Sequence, residues 1–78
     1  MKTVKQISEF CKIYRMHVLK ISVPEICKDT DYKEANVYSF ESGKANKIDY
    51  LLLYYNACRT EKERTGFVKG VFENTSLF

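Results

Sequence analysis

The sequence predicts an all-α fold, a compact five-helix bundle forming one domain over residues 1–78. Three observations carry that expectation. Apolar residues recur at alternating spacings of three and four, the period of a helix with one buried face. Helix-start signals occur in the capping-box form, a hydroxyl residue three positions before Glu or Gln. One Pro and three Gly in 78 residues leave little material for long irregular loops. Hydrophobic residues make up 45% and aromatics 14%, which fills a small core and excludes a disordered chain.

The first helix is expected over residues 3–21. Val4, Ile7, Cys11, Tyr14, Val18 and Ile21 form its stripe, Phe10 widens it, and Thr3 with Gln6 forms the cap. Lys5, Lys12 and Lys20 fall off the stripe, toward solvent. The stripe lasts under three heptads, so a coiled-coil seam is the weaker reading. Ser22-Val23-Pro24-Glu25 opens a second helix. Ser22 accepts from the Glu25 backbone, Glu25 reaches back, and Pro24 stands where its missing N–H costs little. This helix buries Ile26 and Cys27 and stops at Asp29-Thr30-Asp31.

A third helix follows, with Asp31 and Glu34 as a second box-like pair. Its inward face is Tyr32, Ala35 or Asn36, Val37 and Phe40, and Gly43 ends it in a left-handed conformation. Residues 22–46 thus read as a helix-turn-helix unit. Asn46 caps a fourth helix whose expected core face is Ile48, Leu51, Leu52, Tyr55 and Cys58. A fifth helix is expected over residues 61–73 with Phe67, Val68, Val71 and Phe72. Gly66 and Gly70 weaken it by roughly 1 kcal/mol each relative to Ala. Asn74 to Phe78 is expected to fray.

Composition narrows the function classes. Cys11, Cys27 and Cys58 are odd in number and widely spaced, with no CxxC pair, so they read as buried thiols in a reducing, cytoplasmic setting. No zinc or other metal site and no cofactor is expected. The longest apolar run, Tyr50 to Tyr55, is too short to span a bilayer, and no secretory leader appears, so no membrane partner is expected. His17 has no carboxylate partner by spacing. No phosphate loop, nucleophile elbow or metal motif occurs, so no enzymatic activity is expected.

The unit from Ser22 to Asn46 resembles the helix-turn-helix of the phage-repressor type (the Cro/cI or XRE-like family). The resemblance rests on a Ser22 cap, Glu25, Ile26-Cys27 in place of a Leu-Ala pair, Val37, and the closing Phe40-Glu41-Ser42-Gly43-Lys44. It is ungapped there and covers about two-thirds of the chain. Val23 stands where the family has a phosphate-holding Gln, and Asp31 where it has the turn glycine. The family's buried helix-one Arg pairs with the closing Glu. Strict counting puts Met16 there, whereas a turn one residue longer puts Arg15. The stripe at Tyr14 and Val18 favours the longer turn and an Arg15–Glu41 pair.

The resemblance implies a lambda-repressor-like DNA-binding domain, a small sequence-specific transcriptional regulator, repressor-like, of phage or mobile-element kind. Its partner is double-stranded DNA. The implied base contacts are Lys33, Glu34, Ala35, Asn36 and Ser39, with Tyr38 alongside. Phosphate contacts are implied for Ser22, Lys20, Ser42, Lys44, Asn46 and Lys47, with Lys12 and Arg15 as further cations of helix one. Such proteins bind as two-fold homodimers, and Phe67, Val71, Phe72, Leu77 and Phe78 are the candidate dimer surface. The charges support a second reading. Residues 29–46 carry two Lys against four acids, a net −2, within a chain of +3. An acidic face repels phosphate, so the alternative is the same fold used as a protein-interaction module that binds a repressor or host protein.

Overall fold

The computed structural model describes residues 3–45 and 48–72. Among these the chain forms five α-helices and no strand: α1 Val4–Tyr14, α2 Val23–Cys27, α3 Glu34–Glu41, α4 Tyr50–Ala57 and α5 Glu61–Phe72. No helix among the described residues is long and apolar enough to cross a membrane.

Both expected capping boxes form. The Thr3 hydroxyl accepts from the Gln6 N–H and the Gln6 side chain accepts from the Thr3 N–H. Ser22 and Glu25 do the same at α2. The first helix does not run unbroken to Ile21. Past Tyr14 it widens into a π-helical stretch, Arg15–Leu19, and Lys20 then turns left-handed at φ 55°. A π turn holds an extra residue, so the core stripe steps from Tyr14 to Leu19. Leu19 is fully buried, while Val18 and Ile21 are only half-buried. The Arg59 guanidinium donates to the Leu19 carbonyl at 2.8 Å and closes the end of this stretch.

The turn between α2 and α3 differs from expectation at two points. Its left-handed residue is Asp29, φ 62°, and not Asp31. The third helix starts at Glu34 with Lys33 as its cap residue and no side-chain capping bond, so Asp31 does not cap it. The cause is Tyr32. Its ring packs 5.2 Å from that of Tyr50 and its hydroxyl donates to the Asp49 carbonyl. The chain stays extended through Lys33 (φ −95°, ψ 141°) after delivering that ring inward. Of the expected inward positions in α3, Val37 and Phe40 are buried, whereas Ala35 and Asn36 are exposed. Gly43 is left-handed at φ 82° as expected.

The fourth helix starts at Tyr50, after a turn at Ile48 and Asp49. Its buried side is Tyr50, Leu53 and Tyr54, with Cys58 just beyond. Ile48, Leu52 and Tyr55, expected in the core, are exposed, and Leu51 is half-buried. A segment apolar on most sides has no periodicity to choose its inward face. Here the choice follows a buried polar group: the Tyr54 hydroxyl must reach Glu41.

Phe10, Tyr14, Phe67, Tyr54, Phe40, Tyr50 and Tyr32 form a continuous chain of rings, with successive centroids 4.9–6.2 Å apart. Such offset and tilted pairs contribute about 0.5–1.5 kcal/mol each beyond area burial. Gly70 lets α5 approach this chain. A Cβ there would lie 1.9 Å from the Phe10 ring. All three cysteines are buried and free.

Candidate nucleic-acid interface

The residues that orient α3 are buried beneath it. Arg15 Nε donates to Glu41 Oε2 at 2.8 Å and Nη2 to Oε1 at 3.0 Å, a two-pronged pairing. Arg15 Nη1 donates to the Ile21 carbonyl, and the Tyr54 hydroxyl donates to Glu41 Oε2 at 2.6 Å. One carboxylate thus ties α1, α3 and α4 together. The π-helical stretch supplies the extra residue that puts Arg15, and not Met16, opposite Glu41. Met16 is exposed.

Burial, then the bond to Glu41, pushes the Tyr54 phenol far above its ordinary range, so it stays a donor. The Glu41 bond likewise holds Arg15 above its ordinary value. A buried ion pair adds little net stability over an apolar contact, but it fixes geometry because breaking it strands a charge. Arg15 is therefore committed to the interior and is not a free phosphate-binding cation.

On its outer side, α3 presents Lys33, Glu34, Ala35 and Asn36, all exposed. Helices lying flat on a core bury at least one residue per turn, so four exposed positions in a row mean that the start of α3 projects from the body. Tyr38 is 54% exposed and Ser39 is half-buried. Asp29 and Asp31 in the preceding turn are exposed at the same end.

The other end of α3 differs in charge. A cleft of about 370 Å³ is lined by Lys12, Arg15, Tyr38, Ser39, Glu41, Ser42 and Lys44. With Arg15 and Glu41 neutralising each other, Lys12 and Lys44 leave the cleft positive. The Ser42 hydroxyl donates to the Ser39 carbonyl, so its oxygen remains as an acceptor while its proton is committed.

The fold thus brings Ser39, Ser42 and Lys44 together with Lys12 and leaves Lys33, Glu34, Ala35 and Asn36 as a separate projecting turn. Lys20 is exposed on its left-handed backbone. The Ser22 hydroxyl and N–H are both taken up by Glu25, and that carboxylate sits where a phosphate would approach α2. Asn46 and Lys47 lie outside the described residues. Of the candidate dimer residues, Phe67 and Val71 are core, 2% exposed each, because they fill the space beside Phe10, Tyr14 and Tyr54. Phe72 is exposed, and Leu77 and Phe78 lie outside the described residues.

The sequence reading missed Tyr54 as Glu41's second partner. A Tyr inside an apolar run, whose hydroxyl needs an acceptor when buried, was the available signal. Among the described residues no group of three His, Cys, Asp or Glu is placed to hold a metal. Comparison with models of known families, with curated proteins and with solved structures finds no match.

Proposed function

We propose that this protein is a sequence-specific DNA-binding regulator of phage-repressor kind, with α2 and α3 acting as a helix-turn-helix. The observation that carries the reading is the projecting first turn of α3, four consecutive exposed residues on a helix whose other side is locked by the Arg15–Glu41–Tyr54 network. A groove-reading helix needs that combination of a protruding polar end and a rigid seat.

In this reading Lys33 and Asn36 address purine edges, Glu34 accepts from a cytosine amine, and Ala35 meets a thymine methyl. Lys12 and Lys44 flank a neighbouring phosphate at the cleft, with Tyr38 and Ser39 beside it. Binding would act by occupying an operator and altering polymerase access.

The test is a titration of duplex DNA from the region upstream of the protein's own gene at two salt concentrations. The expected result is specific binding that weakens steeply with salt. Lys44→Ala should weaken binding to all sequences and lower the salt slope by about one, whereas Lys33→Ala should cost about 1–3 kcal/mol and change sequence preference. No binding at low salt sinks the reading.

A second reading has its own observation. Asp29, Asp31 and Glu34 are all exposed around the projecting turn. Three carboxylates there oppose phosphate and suit a basic partner, so the fold would serve as a protein-interaction module. Absence of DNA binding at low salt is the outcome this reading requires.

A further inference from the structure

The outward stripes of α4 and α5 are apolar where solvent-facing helices are ordinarily polar. Ile48 is 54% exposed, Leu52 62% and Phe72 64%, and Tyr55 and Val68 are more than a third exposed. Ile48, Leu52 and Tyr55 follow at four and three residues on one side of α4 and the turn before it. Val68 and Phe72 follow at four on α5. Between the helices lies a groove of about 170 Å³ with wholly apolar walls, contributed by Leu51, Leu52, Tyr55, Val68 and Phe72 over a floor of Phe67 and Val71. The prominences and the groove belong to one continuous surface.

We infer that this α4–α5 face is where a second copy of the chain docks, by two-fold pairing. The inference does not depend on DNA binding. Three features point to a like copy. The face carries both protruding side chains, Leu52 and Phe72, and a slot beside them, which is what a self-complementary surface requires. Its rim holds both charge signs close together, with Glu61, Arg64 and Lys69 beside Tyr55 and Val68. A two-fold axis can therefore set Glu61 of one copy against a cation of the other. The third feature is area. The five exposed side chains present about 500 Å² per copy, so pairing removes about 1,000 Å² in total before the rim is counted, the size at which specific interfaces begin. This places the contact on Leu52, Tyr55, Val68 and Phe72, and not on Phe67 and Val71.

The experiment is sedimentation equilibrium of the full chain from micromolar to millimolar concentration, with Leu52→Lys and Phe72→Glu alongside. Both substituted positions are exposed, so helicity and cooperative melting should persist, and circular dichroism checks this. The expected result is a reversible dimer whose dissociation constant rises at least tenfold in each variant. A dimer unaffected by both variants overturns the assignment. So does a wild-type chain monomeric at millimolar concentration, which would leave the face to a different protein. A monomer whose Phe78 ring shows nuclear Overhauser contacts to the Leu52 methyls also overturns it, assigning the face to the chain's own end.

Discussion

Replacing Gly70 by Ala should destabilise the protein, although helix propensity alone gives the opposite sign. In a solvent-facing helix interior the change gains about 1 kcal/mol. Gly70, however, faces Phe10, and an added Cβ falls 1.9, 2.2 and 2.7 Å from three ring atoms, well inside the 3.4 Å where ordinary contact begins. The ring has little room to yield, since it is buried and lies 5.4 Å from the Tyr14 centroid and 5.9 Å from that of Phe67. Overpacking of a filled core costs about 1–3 kcal/mol, and an overlap this deep belongs at or beyond the upper end. The net loss is then about 2 kcal/mol, a fall in Tm on the order of 10 °C for a chain of this length. Thermal melts followed by circular dichroism measure it.

A double variant sharpens the test. Phe10→Leu removes the ring, so Phe10→Leu/Gly70→Ala should be more stable than the two single losses predict, by about 1 kcal/mol or more. Gly66→Ala serves for comparison. Its Cβ meets only the Tyr14 hydroxyl, at 2.8 Å. That group can swing aside, losing its bond to the Glu63 carbonyl, so the loss should be smaller than at Gly70. A Tm that rises in Gly70→Ala, or losses that add in the double variant, would refute the argument from close packing.

Three further outcomes follow from the geometry. Asp29→Gly relieves a left-handed backbone that costs a side-chain-bearing residue about 1–2 kcal/mol, so it should raise Tm in the same melts, while Asp31→Gly should not. Glu41→Ala strands Arg15 in the interior and should cost about 3–5 kcal/mol. Tyr54→Phe removes one hydrogen bond to a charged group and should cost about 1.5–3 kcal/mol. A urea titration that finds Tyr54→Phe the more damaging would reverse the assigned roles. Finally, burial pushes the Cys11, Cys27 and Cys58 thiols up, so iodoacetamide at pH 8 should leave them largely unmodified in the native protein and label all three in denaturant. Rapid labelling of Cys11 in the native protein would contradict its placement in the core.

The Arg15–Glu41 pair shows where sequence reasoning reaches and where it stops. The spacing of Tyr14 and Val18 suggested one residue too many between the first two helices, and that was enough to prefer Arg15 over Met16. The form taken by the extra residue, a π-helical stretch that also turns Leu19 inward, depends on Arg59 reaching the Leu19 carbonyl from 40 positions away. The outer face of α3 was legible residue by residue, because exposed polar side chains follow helical spacing. The cleft was not, because Lys12 and Lys44 meet only once α1 and α3 are docked.

By itself the sequence determined the number of helices, both capping boxes, the left-handed Gly43 and most of the stripe of α1. These are local, set by hydrogen bonds and side chains within about four residues. Only the tertiary structure decided which side of α4 faces in, why Gly70 is a glycine, and where α3 begins. Tyr50-Leu51-Leu52-Leu53-Tyr54-Tyr55 has apolar groups on every side, so its own pattern is nearly indifferent to rotation. The rotation is chosen by what lies across the core, the Glu41 carboxylate that needs the Tyr54 hydroxyl. That choice turns Leu52 and Tyr55 outward, beside Val68 and Phe72, and so creates the apolar face to which a second copy is assigned.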